Sequence, residues 1–232
     1  YSDRALTIVL KGQNSIAGED IECGICLNDG TLTLSGDGSL SVAGKEVGID
    51  ADAGVTVGNS VSELIVSGAS RAFSTYNGAP ITIGGKNYDP YDDLYQLVTV
   101  KNGTLVSNVS LPTQLWVNGV NILANPGDAP QGVSYDAAMG VLTLNGVTID
   151  TASDSSSDSG IYANNALTIV LKGQNFIAGE DIKRGILLDF GALTLSGDGS
   201  LEVSGSDCGI AAFAGVSVEN SVSELTVSGP SG

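Results

Sequence analysis

The chain has 232 residues, of which 26 are acidic, nine are basic and none is histidine, so its formal net charge is −17. Such a surface repels phosphate groups, because binding to nucleic acid or anionic lipid needs clustered lysine and arginine side chains. We therefore expect no nucleic-acid partner. Hydrophobic residues make up 42% of the chain but aromatic residues only 5%, which predicts a core of valine, isoleucine, leucine and alanine.

The apolar runs are short throughout the chain. None reaches the roughly 20 residues that cross a bilayer as a helix, so we expect no membrane insertion. No signal peptide is recognisable, but the chain opens in the middle of a repeat, so we expect further sequence beyond its ends.

Two long segments of the chain repeat one another. Residues 6–68 align with residues 167–229 without a gap, and 46 of the 63 positions are identical. The phrases LTIVLKGQN, IAGEDI, LTLSGDGSL and NSVSEL recur letter for letter. This pattern predicts a tandem array, in which adjacent repeats of the same protein are partners.

A shorter period, of about 24 residues, lies inside each repeat. Gly30, Gly54 and Gly78 mark it at equal steps, and a small residue followed by an apolar one recurs at the same step. Between these marks, as in residues 32–34 and 40–42, apolar and polar residues alternate, which indicates strands with one buried face.

The period predicts an all-β fold, a right-handed single-stranded parallel β-helix with coils of about 24 residues that stack at about 4.8 Å. Burial of each stacked apolar side chain contributes roughly 1.5–3 kcal/mol. The predicted columns are Ile8 over Leu32, Ile16 near Leu40, and Ile25 over Ile49 over Phe73. The alternative is a β-sandwich of short strands, which does not require whole turns to repeat at this period.

Residues 79–131 interrupt the period, and we interpret them as a β-rich insert or cap, since a solenoid needs its ends covered. Strands are predicted over Gln96–Val100 and Leu115–Val120, with a turn at Lys101–Thr104. The predicted domains are a first β-helix block, the insert and a second β-helix block: 1–78, 79–131 and 132–232.

The three cysteines are too few for a disulfide framework. Cys23 and Cys26 form a C-x-x-C pair inside a predicted strand, where three residues span roughly 10 Å, too far for direct bridging. The second repeat has Arg184 and Leu187 at these places. We therefore interpret the cysteines, Cys208 included, as small filling residues and not as a redox or zinc site.

Two stretches resemble a known family: LTLSGDGSLSVAG followed by GI, and NNALTIVLKGQNFIAG preceded by SGIY. They are similar to secreted bacterial carbohydrate-binding proteins with a parallel β-helix fold, of the cellulose- or pectin-binding type of clostridia and the repeat proteins of gut bacteria. The resemblance covers residues 1–78 and about 133–229. It implies a right-handed β-helix, a secreted or surface-attached location, binding of plant polysaccharide or acidic sugar, and bound calcium as a candidate cofactor.

The candidate sugar-binding residues lie mostly in residues 87–95, where flat rings offer stacking surfaces and carboxylates offer acceptors for sugar hydroxyl groups. The alternative is that the rings pack the cap. The predicted carbohydrate-binding residues are Tyr88, Tyr91, Asp92, Asp93, Tyr95 and Trp116.

Calcium needs oxygen ligands that converge from several chain positions at about 2.3–2.6 Å. Two acidic pairs occupy equivalent coil corners in the two repeats, and they are the predicted metal ligands: Glu19, Asp20, Glu180 and Asp181. Lys11–Asn14 and Lys172–Asn175 also recur. We interpret their asparagines as corner residues that satisfy exposed backbone groups.

Catalysis has the least support, because the chain has no histidine for a nucleophilic triad and no P-loop. The sequence therefore predicts a non-catalytic, polysaccharide-binding module of a secreted bacterial surface protein. The alternatives are a structural stalk or adhesin repeat without a glycan ligand, and a polysaccharide lyase or hydrolase.

Overall fold

A computed structural model of the protein describes residues 4–18, 20–153 and 157–230. The chain divides into two compact units, Tyr1–Ser110 and Leu111–Gly232. In each unit short parallel strands stack coil upon coil, which confirms the predicted parallel β-helix. These parallel ladders are incompatible with the alternative β-sandwich of hairpins.

The first unit begins with three coils of parallel strands and ends with antiparallel hairpins. Its sheets have the strand orders β3-β6-β9, β1-β4-β7-β10-β11 and β2-β5-β8-β12-β13. The strands are β1 (Leu6–Leu10), β2 (Gln13–Ile16), β3 (Cys23–Leu27), β4 (Leu32–Gly36), β5 (Ser39–Gly44), β6 (Val47–Ala51), β7 (Val55–Val57), β8 (Glu63–Gly68), β9 (Arg71–Ser74), β10 (Ile81–Ile83), β11 (Lys86–Tyr88), β12 (Leu97–Lys101) and β13 (Thr104–Val109).

The second unit has the opposite order, with hairpins first and parallel coils after them. Its sheets have the orders β15-β14-β19-β22-β25, β16-β17-β20-β23-β26 and β18-β21-β24-β27. The strands are β14 (Leu115–Val117), β15 (Val120–Asn121), β16 (Val133–Asp136), β17 (Val141–Asn145), β18 (Thr148–Ile149), β19 (Ser159–Ala163), β20 (Leu167–Lys172), β21 (Gln174–Ile177), β22 (Arg184–Leu188), β23 (Leu193–Gly197), β24 (Ser200–Ser204), β25 (Cys208–Ala212), β26 (Val216–Val218) and β27 (Glu224–Ser228). Short 3₁₀ turns lie at Tyr76–Gly78 in the first unit and Pro126–Asp128 in the second.

The predicted insert, residues 79–131, is divided between the two units after residue 110. In the first unit β10 continues the parallel stack on β7, whereas β12 pairs antiparallel with β8. In the second unit β14 pairs antiparallel with β19. The segment therefore closes the last coil of the first β-helix and the first coil of the second.

The column of Ile25, Ile49 and Phe73 is confirmed by the ladders that join β3, β6 and β9. All three side chains are buried, and Ile49 and Phe73 have no exposed surface. Each side chain follows a small residue within its strand, which is Gly24, Gly48 or, in the third coil, alanine. A Cβ atom on Gly48 would lie only 2.5 Å from a methyl group of Val66, so this position requires glycine.

The other two predicted columns are wrong by two residues, because Ile8 lies opposite Leu34 and Ile16 lies opposite Val42. The step from β2 to its partner β5 is two residues longer than the step from β3 to its partner β6. The corner between β2 and β3 is therefore longer by the same amount than the corner above it. The two extra residues lie in the corner, so the strands on both sides keep their ladders. For this reason the average period does not predict which residues of neighbouring strands lie opposite one another.

The prediction that Cys23 and Cys26 cannot bond is also wrong, because the structure joins them in a disulfide with Cα atoms 6.1 Å apart. The ladder pairs Cys23 and Ile25 with residues of β6 but leaves out Gly24. The chain thus bends at Gly24, and this bend shortens the distance that a straight strand would impose. Cys208 is a free cysteine.

Each unit has its own aliphatic core, centred on residues such as Leu34 and Leu64 in the first and Leu144 and Ile186 in the second. In the part of the chain that the structure describes, no helix has the length and apolar character needed to cross a membrane.

Candidate functional site

The predicted sugar-binding segment forms a loop, residues 89–96, that covers β9 in the first unit. The carbonyl oxygen of Tyr95 accepts a hydrogen bond from the backbone of Ala72 (3.0 Å), and the side chain of Leu94 is buried in the core. The carboxylate of Asp93 accepts a bond from the backbone N–H of Asp89 (2.8 Å). Asp92 is exposed. Asp93 therefore holds the loop together, and Asp92 is the predicted carboxylate on its surface.

The three tyrosines of this segment differ in accessibility. Tyr88 is half-buried and packs against the core. Tyr91 and Tyr95 are 47% and 48% exposed. The guanidinium of Arg71 lies 4.4 Å from the centre of the Tyr91 ring, and the Tyr91 hydroxyl donates to the carbonyl oxygen of Thr75. Tyr91 is thus held in one orientation with part of its ring open to solvent.

The remaining predicted platform, Trp116, is half-buried on β14 of the second unit, where it lies opposite Tyr162 in the ladder. The Tyr162 hydroxyl donates a 2.6 Å hydrogen bond to the carboxylate of Asp189. Burial, this hydrogen bond and the negative charge of Asp189 raise the pKa of Tyr162 to about 12. These contacts give Tyr162 a structural role in the second unit, whereas sugar binding by Trp116 stays a prediction.

Of the predicted calcium ligands, Glu19 lies outside the described residues. Asp20, Glu180 and Asp181 are exposed at the long coil corners, and the second corner is closed by a 3.2 Å bond from the backbone of Ile182 to Gly179. Among the described residues, no three acidic, cysteine or histidine side chains are grouped as metal ligands. Calcium binding stays a prediction.

The structure also brings together a set of side chains, all polar except Ile65, that we did not predict as a site. They point outward from β2, β5, β8 and β12 in the first unit, and we call this surface the polar face. The ladders place its members opposite one another in two lines across the four strands. The lines are Gln13, Ser39, Glu63 and Lys101, and Ser15, Ser41, Ile65 and Thr99.

Two adjoining depressions lie along the polar face. One has a volume of about 290 Å³ and the other about 420 Å³, and both are lined by Gln13, Ser39 and Glu63. Asp37 and Lys101 also line the larger one. The Lys101 ammonium lies 3.0 Å from the Glu63 carboxylate, so the charges of this pair offset one another. The polar face thus offers amide, hydroxyl and charged groups along one continuous surface.

The equivalent surface of the second unit has a different character. Phe176, Glu202 and Thr226 stand where the first unit has Ser15, Ser41 and Ile65. Phe176 is 42% exposed. Gln174, Ser200 and Glu224 repeat Gln13, Ser39 and Glu63. The two units therefore differ on this face at the second line and at the strand that supplies Lys101 in the first unit.

The signal for the polar face was present in the sequence as the polar members of the alternating strands. Positions 13, 39, 63 and 101 come from four separate strands, and the steps between them are unequal and share no period. Their proximity therefore follows only from the register of the ladders.

The resemblance to secreted bacterial carbohydrate-binding β-helix proteins rests on the sequence phrases alone, and it stays a prediction. No protein-family model, no curated protein and no solved structure matches this chain.

Proposed function

We propose that the chain is a non-catalytic module that binds polysaccharide, and that the first unit holds the polymer along its polar face. The observation that supports this is the unbroken line of Gln13, Ser39, Glu63 and Lys101 across neighbouring strands. Amide, hydroxyl and carboxylate groups are donors and acceptors suited to sugar hydroxyl groups. Strands spaced at about 4.8 Å repeat these groups at short intervals, which suits an extended ligand.

The charges favour a neutral polysaccharide over an acidic one. Asp37 and Glu63 line the larger depression, and Lys101 is already paired with Glu63. A uronate bound there is repelled by the Asp37 carboxylate and by the net charge of the chain, which is −17. We therefore propose a neutral plant polysaccharide as the ligand, and a secreted or surface-attached location where such a polymer is met.

The proposal is tested by calorimetric titration with soluble cello-oligosaccharides, neutral hemicelluloses and polygalacturonate. The double variant Gln13→Ala with Glu63→Ala is expected to lose affinity for the neutral ligands by at least about 10-fold. A hydrogen bond to a charged group contributes about 1.5–3 kcal/mol, and about 1.4 kcal/mol corresponds to tenfold.

The matched control carries the same two changes at the equivalent positions of the second unit, Gln174→Ala with Glu224→Ala, and is expected to bind like the wild type. Affinity that is lost in Tyr91→Ala but unchanged in the first double variant places binding at the 89–96 loop and contradicts the polar-face site. Absence of binding to every polysaccharide favours a structural stalk. Release of reducing or unsaturated sugar contradicts the non-catalytic assignment.

A further inference from the structure

The second unit exposes two phenylalanine side chains at corners where the first unit has aspartates. Phe190 is 62% exposed and Phe213 is 80% exposed. The residues at the same places in the first repeat are Asp29 and Asp52. In two segments that share 46 of 63 residues, both changes replace a charged side chain by an aromatic one, and they occur at neighbouring corners.

The fold brings the two rings into contact, because the corners belong to consecutive coils. Phe190 follows β22 and Phe213 follows β25, and these strands are paired in a parallel ladder. The backbone N–H of Phe213 donates to the carbonyl oxygen of Leu188 (3.3 Å), which holds the second corner against the first. The ring centres are 6.2 Å apart and the ring planes are inclined by 59°. The corners therefore present a tilted pair of aromatic surfaces to solvent.

The exposure of the Phe190 ring is a property of its corner and not of the end of the stack. Phe190 lies between the coils of β19 and β25, and both of these strands pair with β22. Its side chain is nonetheless mostly accessible, so it points sideways from the stack. Asp29, at the equivalent corner of the first unit, is exposed as well. The ring of Phe190 is thus open to a ligand in an array of any length, with Phe213 beside it.

A carboxylate lies next to the rings. Asp189 directly precedes Phe190, is exposed, and accepts a 2.6 Å hydrogen bond from the hydroxyl of Tyr162. This bond holds the carboxylate in place. In the described part of the chain, no lysine or arginine forms an ion pair with Asp189, so its negative charge is not offset. The first repeat has Asn28 at this position, and the carboxylate thus accompanies the rings only in the second repeat.

Aromatic rings beside a carboxylate are suited to an organic cation. The face of a ring attracts a cation that lies within about 6 Å of its centre, and quaternary ammonium ions are bound in this way. Their methyl groups also bury apolar surface against the rings, which a strongly hydrated primary ammonium does not do as readily. A positive ligand is complementary to Asp189 and to the net charge of −17, which attracts cations to the chain.

We propose that Phe190, Phe213 and Asp189 form a binding site for a small quaternary ammonium compound of the choline type. The methyl groups of the ligand lie against the two rings, and its positive charge lies beside the carboxylate. The site belongs to the second unit and shares no residue with the polar face. The proposal therefore does not depend on polysaccharide binding.

The site is tested by ligand-observed NMR titration of the full chain with choline. The double variant Phe190→Leu with Phe213→Leu removes both rings but keeps the charge and an apolar surface, and it is expected to weaken the affinity by about 5- to 30-fold. Asp189→Asn is expected to weaken it as well. The control Tyr76→Leu removes a ring that is 67% exposed in the first unit, and it should bind choline like the wild type.

A second double variant separates ring stacking from general attraction by negative charge. Phe190→Asp with Phe213→Asp introduces the residues of the first repeat and adds two negative charges. If charge alone attracted the ligand, this variant would bind choline more tightly than the wild type. We expect it to bind choline more weakly, because the rings are lost. Far-UV circular dichroism checks the folding of every variant.

Two further ligands test the class of compound. The alcohol in which a carbon atom replaces the choline nitrogen has the same shape without the charge, and it is expected to bind more weakly than choline. Vesicles of phosphatidylcholine carry the same ammonium beside a phosphate, which the net charge of −17 repels, and we expect them not to bind.

Four results overturn the proposal. The first is a wild-type chain that does not bind choline. The second is an affinity that is unchanged in the leucine variant or increased in the aspartate variant. The third is equal binding of the uncharged alcohol, which indicates an apolar surface only. The fourth is binding to the vesicles without binding to free choline, which indicates a membrane partner.

Discussion

Replacing Phe73 by alanine is expected to lower the free energy of unfolding of the first unit by about 3–5 kcal/mol. The ring has no exposed surface and ends the column that begins with Ile25 and Ile49. Its removal leaves a cavity beneath the 89–96 loop that covers β9. Because β9 is hydrogen-bonded to β6 on one side and to this loop on the other, the surrounding backbone holds the space open and the cavity collapses only in part.

The measurement is urea unfolding followed by far-UV circular dichroism, with hydrogen exchange to assign the loss of stability to the first unit. Phe213→Ala is the control, because Phe213 is 80% exposed and its removal should cost less than about 1 kcal/mol. A Phe73→Ala variant that loses no more than Phe213→Ala contradicts the stacked column.

Replacing Asn175 by alanine is expected to destabilise the second unit by about 2–4 kcal/mol. Asn175 is only 1% exposed, and it links three consecutive coils. Its amide nitrogen donates to the carbonyl oxygens of Lys172 (3.2 Å) and Ser200 (3.1 Å), and its oxygen accepts from the backbone N–H of Val147 (3.1 Å). Alanine leaves the buried N–H of Val147 without this acceptor, at about 1–3 kcal/mol, and removes two further hydrogen bonds that contribute about 0.5–1.5 kcal/mol each.

Trp116 provides the measurement, because it is the only tryptophan of the chain and lies in the second unit. Its fluorescence during urea unfolding should show a lower midpoint for Asn175→Ala. Asn14→Ala is the matched control, since Asn14 makes the same contacts to Lys11 and Ser39 in the first unit but is exposed. Equal fluorescence midpoints for the two variants contradict the proposed role of Asn175.

These two side chains illustrate how much of the fold was predictable. The column through Ile25, Ile49 and Phe73 follows from the period of small and apolar residues, and the role of Asn14 and Asn175 in satisfying backbone groups follows from their recurrence in both repeats. Both predictions are confirmed. They succeeded because each depends on residues that recur at a fixed spacing, the column from coil to coil and the asparagines from one long repeat to the other.

Two hairpin turns contain the dipeptide Asn-Gly, but the sequence analysis predicted a turn at one of them and a continuous strand at the other. The turn at Asn102-Gly103 was predicted, and both residues have positive φ angles there (48° and 69°). A single strand was predicted over Leu115–Val120, but Asn118 and Gly119 also have positive φ angles (51° and 79°) and form a hairpin between β14 and β15. The apolar residues flank Asn118-Gly119 so closely that the alternation appears unbroken, and this concealed the turn.

The two candidate sites differ in whether the sequence predicted them, because their residues lie at different distances along the chain. The tyrosines of the 89–96 loop are close in sequence, so composition alone identified them. The polar face combines Gln13 with Lys101, which have two strands of the sheet, β5 and β8, between them and share one surface only through the ladders.

By itself the sequence determined that the chain is an all-β array of parallel coils with aliphatic columns, because alternation and glycine spacing are properties of one coil repeated along the chain. Only the tertiary structure decided the register, the bond between Cys23 and Cys26, the division of residues 79–131 between two units and the polar face. Each of these depends on corner lengths and on contacts between distant coils, and a corner can gain two residues while the strands on both sides keep the same pattern.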